Sequence, residues 1–335
     1  RSSSHSHAAV HAEHLPGDLY NKVVLRQTAR FCATVAVNLR RPCRGRSAAA
    51  ECRAERRRGQ YAVKYIGSAF KYLFKNFIFL FPFALLPSYF LAMSADVDNL
   101  AVLAESALAV RTDFDFLQLF TFLSPFNAEG WPFALLFVAS CAVFIPMLLG
   151  FIEKHMRIGS RSFKGIAGRF NSNFLPTLVV LLLFLLAYEL WALLAAGLVY
   201  AVSLMLDGVA CFILAVAVLF GANALLAWFA SVFLLWLPCM QITGYSYMDS
   251  LNFSGQLYVP RRGKLFWAVF LPLSAGVVLQ FAIVAASPLE ALRVPAYVFL
   301  ELVYLFLFLY YCVLMYVAYF GAAGEERMDL VKKYG

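Results

Sequence analysis

The chain has 335 residues, 62% of them hydrophobic and 14% charged, with a formal net charge of +9 and a mean hydropathy of +0.74. Soluble domains are about 45–50% apolar and about 25% charged, so these values exclude a soluble enzyme, a disordered chain and an ordinary nucleic-acid binder. What remains is a polytopic membrane protein whose positive surplus needs a place.

The surplus lies at the start. Residues 1–59 hold eleven Arg and one Lys against four acids, whereas residues 60–335 hold sixteen basic residues against fifteen acids. Of 33 Phe, one (Phe31) falls in the first 59 residues. That segment has no sustained helical or strand period and reads as a disordered basic segment. Its acid-poor Arg/Ser/Ala make-up is also that of an organellar transit peptide. A basic arm touching anionic lipid or nucleic acid, and sequence foreign to the folded protein, stay open beside it. His7, His11 and His14 share a helical face, but no Cys or carboxylate completes a metal set. Cys32, Cys43 and Cys52 lack metal spacing. Cys141, Cys211, Cys239 and Cys312 lie in or beside apolar runs, where Cys acts as a small hydrophobe. No metal, cofactor or disulfide framework is expected.

In lipid every backbone polar group must be satisfied internally, so long apolar runs become helices. A span takes roughly 17–25 residues. Within 60–335 the predicted spans are 77–93, 132–152, 175–206, 209–237, 265–286 and 296–320. The third and fourth are joined only by an Asp207-Gly208 turn. The first outer loop, 94–131, carries an apolar stretch from Phe114 to Leu123 that lies in the outer interface or plugs the bundle. Trp131 fits an interfacial anchor. Of the sixteen basic residues after position 59, fourteen fall on one side of this arrangement and two, Arg111 and Arg293, on the other. Lys and Arg accumulate on the cytoplasmic side. Both termini are therefore predicted cytoplasmic, in a multi-pass cell (inner or plasma) membrane protein.

A weak self-similarity precedes the odd spans. Ile66-Gly67-Ser68, Ile158-Gly159-Ser160 and Thr243-Gly244-Tyr245-Ser246 occupy matching places, and Pro82, Pro176 and Pro272 follow. Each unit reads as a basic amphipathic stretch, a helix out and a helix back. The expected fold is thus all-α, with six transmembrane helices, three interfacial amphipathic connectors and a three-fold repeat of helix pairs. Mitochondrial carriers share that layout. Their Pro-x-acid-x-x-base signature is missing here, because apolar residues follow all three prolines.

Polar groups inside spans are costly, and each is a functional candidate. Glu189 lies near the middle of the third span with no Lys or Arg in any span to neutralise it. It is expected protonated or hydrogen-bonded. Tyr200 shares its face. Asn223 in the fourth span and Gln280 in the fifth add amides. Glu301 and Tyr304 lie on one stripe of the sixth. These six make a candidate intramembrane site for a cation, a proton or a headgroup; the alternative is that they simply bond helix to helix. At the basic ends, His155, Arg157, Arg161, Lys164, Arg169, Arg261 and Arg262 are candidate headgroup contacts, or solvated flanks. Hydrolase, phosphate-loop and zinc-protease motifs are missing, so no catalytic residue is assigned.

Three phrases, Lys64-Tyr65-Ile66-Gly67-Ser68-Ala69-Phe70-Lys71-Tyr72, Glu153-Lys154-His155-Met156-Arg157-Ile158-Gly159 and Leu237-Pro238-Cys239-Met240, give residues 61–335 a look similar to uncharacterised six-helix bacterial membrane proteins. More distantly, the layout resembles the membrane domain attached to some glycerophosphodiester phosphodiesterases. The resemblance carries no catalytic residue, because the hydrolytic domain of those enzymes has no counterpart here. The expected function is a non-catalytic integral membrane protein that binds lipid or a partner subunit, in envelope homeostasis. The alternatives are a small transporter or channel using Glu189 and Glu301, and a lipid-modifying enzyme around His155. The expected partners are membrane lipids and a partner membrane protein or a second copy of the chain, not nucleic acid.

Overall fold

The computed structural model describes residues 47–95, 97, 101–102, 115–127, 130–285 and 293–330, with side chains from Lys64 onward. The chain divides into two units, 1–56 and 57–335; the spans all belong to the second. The His and Cys residues of the first segment lie outside the described residues or side chains, as do Arg111, Lys332, Lys333 and the side chains of Arg169 and Arg293.

Apolar runs this long fold as helix because nothing in lipid competes for the backbone. Helix α1 is Ser47–Ser94, so its start falls inside the segment expected to be disordered. The short α2 is Phe116–Leu123. Helices α3 (Trp131–Ile158) and α4 (Ile166–Met205) follow. Then come α5 (Gly208–Phe233), α6 (Trp236–Thr243) and α7 (Tyr247–Tyr258). After a single 3-10 turn, α8 (Arg262–Ala285) and α9 (Arg293–Ala323) complete the described chain. Among the described residues there is no strand. Six helical stretches are long and apolar enough to cross a membrane: Lys64–Ser94, Trp131–Ile158, Asn173–Met205, Gly208–Thr243, Tyr247–Ile283 and Val294–Ala323. The protein is an all-α, six-span membrane protein.

Most spans run longer than the apolar runs that announced them. The 40 residues of α4 make a rod of about 60 Å, against a hydrocarbon core of about 30 Å, so α4 tilts or protrudes. Pro82, Pro87, Pro146, Pro176 and Pro272 all sit inside helices, which membrane helices tolerate when neighbours re-satisfy the freed carbonyls.

The connectors differ from one another. The first is not a separate element, since Gly67 lies within α1. The second is a non-helical turn bounded by Gly159 and Gly165, both with positive φ. Only the third is a helix of its own, α7, capped by Ser246, whose hydroxyl accepts from the Asp249 backbone N–H. Gly159 and Gly244 do match each other: each ends a helix in the left-handed conformation that glycine adopts without cost. The three connectors are thus one helix extension, one turn and one separate helix.

Neighbouring spans close a ring in chain order. Phe79 of α1 meets Phe151 of α3 at 6.2 Å between ring centroids. Helix α3 packs on α4, α4 on α5, α5 on α8 and α8 on α9. The ring closes where Phe70 meets Tyr310 at 4.9 Å and Phe77 meets Phe306 at 5.6 Å. Helix α9 also touches α3, α6 and α7. The largest apolar core accordingly gathers around α9, with Tyr310, Tyr316, Tyr319 and Phe320 fully buried. Beyond it the core splits into two small clusters. One joins Leu119 of α2 to Ala196, Val199 and Ala215; the other joins Ala92, Val97 and Leu300.

Candidate functional site at the basic end of the bundle

The end of α3 carries Glu153 and His155, both at least 95% buried. Tyr72 of α1 places its hydroxyl 2.8 Å from His155 Nδ1. On the other side of the ring, Arg161 Nε donates to His155 Nε2 at 3.4 Å. A guanidinium only donates, so Nε2 must accept. The imidazole is then neutral with its proton on Nδ1, directed at the Tyr72 oxygen.

The segment after α9 folds back over this pair. The Met328 backbone N–H donates to the Met156 carbonyl at 2.9 Å. Arg327 lies with its guanidinium 5.6 Å from the Tyr72 ring centre, within cation–π range. Its Nε and Nη2 donate to the two carboxylate oxygens of Asp329 at 3.1 and 2.8 Å. Glycine at 159 lets this fold-back come close, since a Cβ there would press on the Met328 carbonyl at 3.3 Å. The Gly159–Gly165 turn is pinned as well: Lys154 Nζ donates to the carbonyls of Ser162 and Lys164 at 3.1 and 2.6 Å. Phe163 packs on Phe151 and Phe79.

Of the predicted headgroup contacts, His155 is therefore an internal residue and not a surface one. Arg157 pairs with Glu153 at 3.4 Å with its side chain half exposed. Arg161, Lys164 and Arg262 are exposed, and Arg261 is half-buried. Tyr72, Arg327 and Asp329 had no sequence signal beyond residue type; only the return of the chain after α9 brings them together.

The predicted intramembrane residues fall into separate contacts. Glu189 Oε2 accepts from Ser124 at 2.7 Å, just past the end of α2, while its Oε1 is buried with no hydrogen-bond partner among the described residues. Tyr188 beside it donates to the Leu123 carbonyl at 2.8 Å, and Tyr304 packs against the cluster of Ala92, Val97 and Leu300. Tyr200 instead meets Phe116, edge to face at 6.1 Å. Asn223 donates to Ser274 at 2.9 Å, joining α5 to α8. Gln280 and Glu301 are half-buried. A polar contact outside the predicted set links three spans: Gln241 donates to Thr177 at 3.1 Å and accepts from Tyr316.

Two cavities open at the basic end. The first, of about 300 Å³, is lined by Lys64, Lys264 and Arg327 among others. The second, of about 320 Å³, lies between Asn173, Gln241 and Tyr245–Tyr247. None of the predicted intramembrane residues lines either. Among the described residues no group of three or more His, Cys, Asp or Glu is placed to hold a metal ion. No protein family, curated protein or solved structure matches this chain.

Proposed function

We propose that this chain is a non-catalytic membrane protein of the bacterial cell membrane that binds lipid through its basic end, with both termini in the cytoplasm. One observation carries this reading. Basic side chains from segments far apart in sequence (Lys64, Lys154, Arg161, Lys264 and Arg327) come to the same end of the six-span ring, around a cluster fixed by Tyr72, His155 and Asp329. A positively charged end faces the anionic cytoplasmic leaflet at about 1 kcal/mol per basic residue near the surface. Exposed Phe163 and Tyr245 add the aromatic surface that settles at a headgroup boundary. The protein, extracted in mild detergent from membranes of mixed phosphatidylglycerol and phosphatidylcholine, is expected to retain phosphatidylglycerol above its bulk fraction. Retention at the bulk ratio would refute the proposal.

A second reading, a small proton- or cation-coupled transporter, is favoured by one feature. The Oε1 of Glu189, without a partner among the described residues, is a group that an ion or proton would satisfy. Proton-coupled flux that disappears in Glu189→Gln would establish it over the first.

A further inference from the structure

We propose that the cavity walled by Lys64, Lys264 and Arg327 is a binding site for the phosphate of an anionic phospholipid headgroup. This deepens the lipid-binding reading and rests on it. The three cations come from the beginning of the first span, the first turn of α8 and the segment after the sixth span, so only the closed ring assembles them. Glu325 shares the wall and Asp329 pairs with Arg327, which leaves one net positive charge. Ser68 and the Tyr65 hydroxyl are available for the glycerol or other polar substituent of the headgroup.

Arg327 is set in advance. Asp329, outside the cavity wall, holds its Nε and Nη2, and the Tyr72 ring supports its face. A guanidinium fixed in this way keeps its Nη1 donors and loses little entropy on meeting a phosphate oxygen. The rest of the wall is apolar, with Val317, Phe320 and Leu330, which suits a phosphate bearing acyl chains better than a free anion. The volume of about 300 Å³ is at the small end of ligand pockets and matches a headgroup rather than a whole lipid. Gly321 keeps the opening shaped this way: a Cβ there would approach Tyr65 Cε1 to 2.9 Å.

The test measures phosphatidylglycerol affinity of the intact chain by native mass spectrometry, with phosphatidylcholine as the reference lipid. Lys64→Gln with Lys264→Gln is compared with Lys164→Gln with Arg262→Gln, two exposed basic residues of the same end outside the wall. Each basic residue held against the headgroup accounts for about a fivefold change in affinity. The wall pair is expected to lose about thirtyfold, with the melting temperature retained, while the outer pair loses about fivefold or less. Equal losses in both variants would overturn the cavity and leave general lipid binding standing. No preference for phosphatidylglycerol in the unaltered chain would overturn both. Inorganic phosphate at millimolar concentration is expected to leave the bound phosphatidylglycerol in place. If it displaces the lipid completely, the site belongs to a free anion and the proposal fails.

Discussion

At the scale of single residues, two polar contacts can be weighed directly. The Arg327–Asp329 pair is nearly buried, with side chains 11% and 6% exposed. Removing one partner of such a pair strands a charge and costs about 3–5 kcal/mol. Asp329→Ala is expected to lower thermal stability in detergent by that order, while the double change Arg327→Met with Asp329→Leu regains most of it. Ser124 and Glu189 form the second contact. Ser124→Ala removes the donor to Glu189 and is expected to cost about 1 kcal/mol. Glu189→Gln keeps an oxygen that accepts from Ser124 and stays near neutral in the same melting assay. Glu189 itself was conspicuous in the sequence, as a carboxylate without a cation in any span. Its partner was not, because Ser124 lies 65 positions away in a loop whose path no local pattern records.

At the scale of elements, the outer loop is the informative case. Its apolar stretch announced an interfacial or plugging segment, and α2 does dock on α4, with Leu119 buried against Ala196 and Val199. The small residues of α4 and α5 leave room for that approach, as close packing in membranes requires. Two hydrogen bonds hold the C-terminal end of α2, from Tyr188 to the Leu123 carbonyl and from Ser124 to Glu189. Tyr188→Phe with Ser124→Ala is therefore expected to speed hydrogen exchange over residues 116–124 and leave α4 and α5 unchanged. Where the loop turns into α3, Asn127 Nδ2 donates to the Ser94 carbonyl at 2.7 Å, and a Cβ on Gly130 would collide with that carbonyl. Because that obstacle is backbone, Gly130→Ala is expected to cost about 1–3 kcal/mol, read as a lower melting temperature. The repeat illustrates the limit of reading elements from sequence. Gly159 and Gly244 end helices with positive φ, while Gly67, in the same phrase, remains helical. Glycine permits both conformations, so the shared phrase could not distinguish a cap from a continuous helix.

At the scale of the whole molecule, hydropathy marked six spans, and the structure has six. Composition carries that information because the solvent is apolar and the backbone has one solution within it. The order of packing around the ring was not legible, since Leu and Phe facing lipid look the same as Leu and Phe facing α9. The basic segments that the loop count groups together meet at one end of the bundle, joined by the Met328–Met156, Tyr72–His155 and Arg161–His155 contacts. That end holds the proposed lipid cavity, so binding of a cytoplasmic-leaflet lipid there depends on which side of the membrane it faces. The direct measurement is sided labelling of single cysteines in a chain whose native cysteines are replaced. Lys164→Cys, Arg262→Cys and Asp207→Cys are all at exposed positions. An impermeant maleimide is expected to label Lys164→Cys and Arg262→Cys only in inverted membrane vesicles, and Asp207→Cys only in right-side-out ones. Labelling of Lys164→Cys or Arg262→Cys from the same side as Asp207→Cys would contradict the six-span, one-sided arrangement.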